Sequence, residues 1–172
     1  LEFSGTGTAG ASAALTIQGD LTNTGGGTLN FGANNVTLSG TVATNSIAGF
    51  TTTGTVSMTK TAGTATFTGN VNGGGLTING AGGTLNLGTG LTHTFTGTWT
   101  RTAGTLDGGS STLNIGGTTT NTAGTFTAGT STVNYTGAVQ TIANVTYNNL
   151  TLSGTLAKTF PAGTTTVNGI LS

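Results

Sequence analysis

The chain has 172 residues, and only 3% of them are charged, against roughly 25% in typical soluble domains. Three Lys and Arg balance three Asp and Glu, so the formal net charge is zero and repulsion between copies is weak. This balance excludes the basic surface that nucleic-acid binding or a polybasic membrane anchor requires, the absence of Cys excludes disulfides, and no apolar run has the roughly 18 residues of a transmembrane segment.

Short strands are predicted along the chain, because apolar and polar residues alternate in triplets between glycine-rich turns. Successive strand side chains point to opposite faces, so each triplet places two apolar side chains inward and one Thr or Asn outward. Thr and Gly are poor helix formers, and no helix is predicted. In chain order the triplets are Leu15–Ile17, Leu29–Phe31, Val36–Leu38, Leu76–Ile78, Leu85–Leu87, Leu113–Ile115, Val133–Tyr135 and Leu150–Leu152, with turns such as Gly25–Gly27, Gly73–Gly75 and Gly108–Gly109.

An internal repeat is clearest in the second half of the chain. Thr98–Gly117 and Thr118–Gly137 align without a gap, and they share Thr-Ala-Gly-Thr, a central Gly, Ser-Thr, an Asn and a closing Gly. A looser copy lies at Thr61–Asn70. Periods of about 20 residues are typical of solenoids and other repeat arrays. We therefore predict one repeat-containing β domain over residues 1–172.

A β-solenoid accounts best for a glycine-rich chain of short strands. Ordering each residue costs roughly 1–2 kcal/mol of backbone entropy, and glycine costs more. Nearly every backbone group must therefore join a ladder, in which each hydrogen bond contributes only about 0.5–1.5 kcal/mol. Stacked coils repeat this ladder and its Thr pairs at every turn. The sequence predicts an all-β solenoid (β-helix) of about eight coils and about 40 Å; the alternative is a β-sandwich completed by strand exchange between subunits.

The segment Thr125–Leu152 carries a pattern beyond simple alternation. It resembles the Thr-, Gly- and Asn-rich β-strand repeats of large bacterial surface proteins and adhesins, and Gly154–Leu171 looks like the continuation of the same unit. The similarity covers Thr98–Gly117 in part. The resemblance implies a secreted or cell-surface protein with a structural or adhesive role. The positions that match are Phe126, Ala128, Gly129, Ser131, Thr132, Val133, Tyr135, Gly137, Gln140, Ile142 and Tyr147–Leu150.

The ionisable residues form no recognisable catalytic or metal-binding pattern. Glu2, Asp20 and Asp107 are far apart, and we predict isolated, solvated turn residues rather than a glycosidase pair. His93 is the only histidine, and alternation places it on the face of Phe95 and Trp99. That position predicts a hydrogen-bonded residue at the core edge or an interface rather than a triad member or metal ligand. No enzyme activity, cofactor or metal is predicted.

The remaining motifs are weak. Gly5–Gly10 matches the dinucleotide-binding spacing, but the strand and helix that this motif requires do not flank it. Lys60, Arg101 and Lys158 are single charges, which we predict to be solvated or to protect strand edges. Four asparagines fit the N-x-S/T pattern and are weak candidate glycan acceptors: Asn35, Asn134, Asn144 and Asn149.

The ends of such a rod are the candidate interaction sites. Unpaired N–H and C=O groups at a sheet edge template pairing with another chain unless charge, proline or a cap blocks them. Both terminal segments are apolar and suit strand addition, so the candidate polymer interface is Leu1, Phe3, Ile170 and Leu171. Head-to-tail contacts that do not close give filaments. The sequence thus predicts a structural subunit of an extracellular or cell-surface homopolymeric filament, whose partner is itself.

Two other functions fit the same sequence. The first is a stalk or adhesin segment of a longer cell-surface protein, with glycans or cell surfaces as partners. The second is ice binding by a flat threonine face, which the alternating threonines of Thr92–Thr100 suggest, although Thr-x-Thr is not regular in every predicted coil. The chain opens at Leu1–Phe3 without Met or a basic segment, so we interpret it as a mature chain or one that lacks its leader.

Overall fold

A computed structural model describes all residues from Leu1 to Ser172. It is all-β, and every strand pairing is parallel. It contains no helix, and therefore no helix that could cross a membrane. The strands are β1 (Glu2–Phe3), β2 (Thr8–Ala9), β3 (Leu15–Ile17), β4 (Thr22–Asn23), β5 (Thr28–Leu29), β6 (Val36–Leu38), β7 (Thr44–Ile47), β8 (Phe50–Thr51), β9 (Thr55–Met58), β10 (Thr64–Phe67), β11 (Val71–Gly73), β12 (Gly75–Asn86), β13 (Thr92–Phe95), β14 (Trp99–Asp107), β15 (Thr112–Ile115), β16 (Thr119–Asn121), β17 (Thr125–Thr127), β18 (Thr132–Tyr135), β19 (Gln140–Thr141), β20 (Thr146–Tyr147), β21 (Asn149–Leu152), β22 (Lys158–Thr159) and β23 (Thr166–Val167).

The strands form three parallel stacks that share one core. The first stack contains β3, β6, β9, the start of β12, the start of β14 and β16. The second stack contains β7, β10, the end of β12, the end of β14 and β17. The third stack contains β8, β11, β13, β15, β18 and β21. Because β12 and β14 each run through two stacks, the first and second stacks are joined into one nine-stranded sheet.

Consecutive strands of a stack lie about 20 residues apart in the sequence, which is the length of one coil. The two clearest repeats occupy neighbouring coils in the predicted alignment, since Trp99 pairs with Thr119, Leu106 with Phe126 and Leu113 with Val133. The looser copy also falls in register, because Thr64 pairs with Thr84 and Thr84 with Thr105. The predicted β-solenoid of about eight coils of about 20 residues is confirmed, and the sandwich alternative is wrong.

Alternation along each strand fills the interior of the coils. One continuous core of 28 buried residues runs through the molecule. Both apolar members of six predicted triplets are buried, and Leu15 and Leu152, which belong to the remaining two, are half-buried near the ends. The largest buried side chain is Trp99, whose ring packs edge-on against Phe126 with 5.6 Å between ring centroids. The core is therefore aligned in columns, one side chain above the next.

Glycine is required where the chain turns between stacks and the coils approach each other most closely. Gly104 interrupts β14 between its first-stack and second-stack parts, with φ of +74°. A Cβ there would overlap the carbonyl oxygen of Gly80 in the preceding coil. The bend thus depends on a residue that tolerates a left-handed backbone and has no side chain.

The placement of three charged residues differs from the sequence prediction. Lys60 is fully buried, because it continues the inward alternation of Val56 and Met58 past the end of β9. Arg101 is only 6% exposed, because it lies inside β14 in alternation with Trp99. The prediction that these two cations are solvated or protect strand edges is therefore wrong.

Asp107 is also not a solvated turn residue. It is the last residue of β14, half-buried, and its carboxylate accepts hydrogen bonds from Asn86 Nδ2 at 2.7 Å and from the Gly109 backbone N–H at 3.0 Å. It therefore ties its own turn to the coil before it. Asp20 is exposed as predicted, but its carboxylate accepts a hydrogen bond from the Ser46 backbone N–H at 2.9 Å, while Glu2 is exposed at the first coil.

Candidate functional site at the ends of the solenoid

The first coil exposes an unpaired edge and an apolar hollow. Its strands β1 and β2 pair only with β4 and β5 of the second coil, and β3 pairs only with β6. The hollow has a volume of about 410 Å³, and Leu1 at its rim is 68% exposed. We call this surface the N-terminal end; its apolar lining is Leu1, Phe3, Ala9, Ala11, Ala13, Leu15, Leu21, Leu29 and Phe31.

The last coil exposes the opposite edge of the stacks. Strand β22 pairs only with β19, β23 pairs only with β20, and Leu171 is joined to Leu150 by an isolated bridge. Ile170 is 66% exposed and Leu171 is 58% exposed. We call this surface the C-terminal end. The four residues of the predicted interface thus lie at the two opposite ends of the solenoid, two at each end.

Polar columns cover the sides of the rod. In the second stack, threonines of five successive coils pair in register and form the threonine column: Thr44, Thr64, Thr84, Thr105 and Thr125. In the third stack, Asn134 Nδ2 donates to Asn114 Oδ1 at 3.0 Å, and Asn114 Nδ2 donates to Thr94 Oγ1 at 3.3 Å. These hydrogen bonds connect side chains of neighbouring coils and reinforce the backbone ladders.

His93 is a fully buried member of the third stack, where both ring nitrogens are hydrogen-bonded. Its Nδ1 accepts from the Val71 N–H at 3.0 Å, so the ring proton lies on Nε2, which donates to the Leu87 carbonyl at 2.8 Å. Burial lowers the pKa of His93, and the bond to Leu87 only partly opposes that shift. The neutral ring therefore fits the core; the predicted hydrogen bonding is confirmed, but the ring lies inside the core rather than at its edge or at an interface.

Acidification below about pH 6.5 is expected to destabilise the protein through His93. Because the pKa of His93 is lowered in the folded state, the unfolded chain binds a proton that the folded chain does not. The contribution of the neutral His93 to the free energy of unfolding is therefore fully present above the ordinary histidine pKa of about 6.5, and it is lost as the pH falls below that value. Urea unfolding midpoints measured between about pH 5 and 7.5 should show this slope in the parent and not in His93→Gln. Equal slopes in the two proteins would contradict it.

Residues of the segment Thr125–Leu152 have structural roles in the last coils. Gln140 is buried, where its Nε2 donates to the carbonyls of Ile115 and Gly117 and its Oε1 accepts from the Gly137 N–H. The hydrogen bonds of its side-chain amide thus take the place of backbone hydrogen bonds between coils where the strands are short. Spacing along the sequence does not reveal this role.

Two buried tyrosines, Tyr135 and Tyr147, close the core in the same coils. The Tyr147 hydroxyl donates to the Ala143 carbonyl at 2.7 Å, and the Ala143 N–H donates to the Tyr135 hydroxyl at 2.9 Å. The Tyr147 proton is thereby used, so Tyr135 donates to Tyr147 across 2.9 Å. Burial raises the pKa of Tyr135 to about 12 and raises that of Tyr147 further. Both phenols therefore stay protonated, and their hydrogen bonds fix the backbone at Ala143.

Three of the four candidate glycan acceptors are engaged in the ladders. Asn35 Oδ1 accepts from the Thr55 N–H at 2.8 Å, Asn134 belongs to the third-stack column, and Asn149 Oδ1 accepts from the Ile170 N–H at 2.9 Å. Asn35 and Asn144 are exposed, and Asn144, in the segment between β19 and β20, makes no side-chain hydrogen bond. Asn134 and Asn149 are half-buried between coils and Asn35 is bonded to Thr55, so Asn144 is the position of the four best placed for modification.

Comparison with known proteins adds no family to this description. Protein-family models, curated proteins and solved structures yielded no match. No three His, Asp or Glu side chains lie close enough together to hold a metal ion. The two ends of the solenoid, rather than a side-chain cluster, are the candidate functional site.

Proposed function

We propose that this chain is a structural rod that assembles end to end into an extracellular homopolymeric filament. The observation that carries the proposal is the pairing of an open apolar hollow at the N-terminal end with exposed Ile170 and Leu171 at the C-terminal end. A second copy supplies what each end lacks, namely a partner strand for the ladder and apolar side chains for the core.

The orientation of the side chains supports head-to-tail contact. In β1 the exposed Glu2 precedes the half-buried Phe3, and in β23 the exposed Thr166 precedes the half-buried Val167. The two terminal coils therefore have the same inward and outward alternation that stacked coils share within the rod. Unpaired edges with few charges are the surfaces on which strand addition occurs. The two ends differ and lie at opposite ends of the stacks, so copies add along the rod and the contact repeats as a filament.

Filament formation is expected to depend on both ends. The purified 172-residue chain should form fibres visible by electron microscopy, and Phe3→Asp and Leu171→Asp should each stop at small species, because a carboxylate cannot enter an apolar junction without a large desolvation cost. Val42→Asp is the matched control, since Val42 is an exposed apolar residue, 49% accessible, in the segment between β6 and β7.

Mixing the two end variants sharpens the test. Each keeps one intact end, so an equimolar mixture should produce dimers by sedimentation velocity but no fibres. Head-to-head assembly would instead leave one of the variants able to dimerise alone. A parent chain that stays monomeric at every concentration, while its circular dichroism shows folded β structure, would refute the proposal.

The stalk and ice-binding alternatives predict other results. In a stalk, further coils of a longer chain would occupy the same ends, so only the length of the natural protein distinguishes it from a filament subunit. Ice binding is favoured by the threonine column, but the column beside it is mixed, since Asn86 and Asp107 occupy two of its coils. Thermal hysteresis of the non-polymerising Leu171→Asp variant measures this activity without interference from fibres.

A further inference from the structure

Lys60 and Asn45 form an isolated pair in the core. The Lys60 side chain is fully buried, Asn45 is nearly so, and Lys60 Nζ lies 2.6 Å from Asn45 Oδ1. No carboxylate hydrogen-bonds to Lys60, and the amide of Asn45 is the single hydrogen-bond partner of Nζ. A buried charge without a counter-charge is strongly unfavourable. The amine is therefore better accommodated in its neutral form.

The chemistry of a neutral amine differs from that of an ammonium ion. Burial lowers the pKa of Lys60, which raises the fraction of the amine that is neutral and has a free lone pair on Nζ. The carbonyl bond of an amide is about 1.23 Å long, so the Asn45 Cγ can be no more than about 3.8 Å from Nζ. Reacting atoms in near-attack conformers lie about 3–3.5 Å apart. Only a small movement separates the hydrogen-bonded pair from an attacking geometry.

We propose that Lys60 and Asn45 join in an intramolecular isopeptide bond. The Lys60 Nζ attacks the Asn45 Cγ, the Nζ–Cγ bond forms and the Cγ–Nδ2 bond breaks. The proton that Nζ loses passes to Nδ2, which leaves as ammonia, so no oxidant, reductant or other reactant is required. The product is an amide between the strand β7 and the residue that follows β9 by two positions, and it covalently closes the coil between them.

The neutral product suits the site better than the reactants. The cation-forming group disappears, and the new amide keeps a carbonyl acceptor and an N–H donor. The cross-link joins positions in adjacent stacks of the rod, so it restricts the loop of residues 45–60 in the unfolded chain as a disulfide would. A chain without cysteine thereby gains a covalent brace that does not depend on the redox state of its surroundings.

Trypsin digestion followed by mass spectrometry tests for this bond directly. The chain contains only Lys60, Arg101 and Lys158 as cleavage sites, and trypsin does not cleave after an acylated lysine. After incubation of the folded protein and then denaturation, we expect one peptide of residues 1–101 whose mass is about 17 Da below the calculated value, because one ammonia is lost. The unmodified protein would instead give separate peptides 1–60 and 61–101. Cleavage after Lys158 in the same digest confirms that the protease is active.

Variants distinguish this bond from other losses of ammonia. Lys60→Arg restores cleavage at position 60 and the full mass, whereas Asn45→Ala restores cleavage after Lys60. Tandem mass spectrometry of peptide 1–101 should place the link at positions 45 and 60. The parent protein needs no variant to refute the proposal: complete cleavage after Lys60, with the full mass after prolonged incubation of the folded protein, would overturn it. A 17 Da loss that maps elsewhere would overturn it equally.

Discussion

Gly104→Ala is expected to lower the free energy of unfolding by about 3–5 kcal/mol, which places it among the most damaging single substitutions in the chain. Gly104 has φ of +74°, where an L residue with a side chain is strained. The added Cβ would also overlap the Gly80 carbonyl oxygen, so the two coils must move apart at the bend. Urea unfolding followed by circular dichroism measures the loss.

Substitutions at two other glycines distinguish the cost of backbone strain from the cost of steric overlap between coils. Gly90 has φ of +67°, but a Cβ there meets nothing within 4 Å, so Gly90→Ala should cost only the backbone strain of about 1–2 kcal/mol. Gly19 has neither a positive φ nor a neighbour within that distance, so Gly19→Ala should change stability little. Equal losses at Gly104 and Gly90 would mean that contact between coils does not determine the bend.

Trp99→Ala is expected to cost about 3–5 kcal/mol, because it removes the largest buried side chain from the middle of a shared core. The ring contacts Phe126 in the next coil, and the Arg101 guanidinium carbon lies 6.0 Å from the ring centroid. The cavity would therefore affect the packing of the next coil and of Arg101 on the same strand. Thermal and urea unfolding of the variant should show the lower stability.

The outward neighbour supplies the control for Trp99. Thr100 lies beside it on the same strand, half-buried on the outer face, so Thr100→Ala should change stability by no more than about 0.5–1 kcal/mol. Trp99→Phe keeps an aromatic ring and should recover part of the loss. A Trp99→Ala protein as stable as Thr100→Ala would show that the core does not hold the coils together.

The sequence predicts the coil architecture because its two periods are both visible. Alternation in triplets such as Leu113–Ile115 sets which side chains face inward, and the ungapped repeat of Thr98–Gly117 sets which residues stack. Parallel stacking places equivalent residues at the same height of successive coils, so Leu113 meets Val133 as the alignment requires. The division into three stacks is not visible, because the bends differ in length from coil to coil.

Residue type and alternation give opposite predictions for the two buried cations, because charged side chains usually lie in solvent. Val56, Met58 and Lys60 lie two positions apart from one another, as do Trp99 and Arg101, so alternation alone predicts that Lys60 and Arg101 face inward. The contact of Lys60 with Asn45 could not be predicted, because it crosses from one stack to another. The apolar hollow was likewise beyond the sequence, since it depends on the geometry of the whole first coil.

The parallel stacking of the coils also determines how the rod responds to tension. Backbone hydrogen bonds between coils run along the rod, and its two chain ends lie at opposite ends of the stacks. A force that pulls the ends apart therefore loads the outermost ladder first, and the coils peel away singly rather than shearing together. Each coil of about 20 residues releases about 70 Å of extended chain. The rod is thus an extensible element, and the proposed Lys60–Asn45 bond would shorten the length of chain that its coil can release.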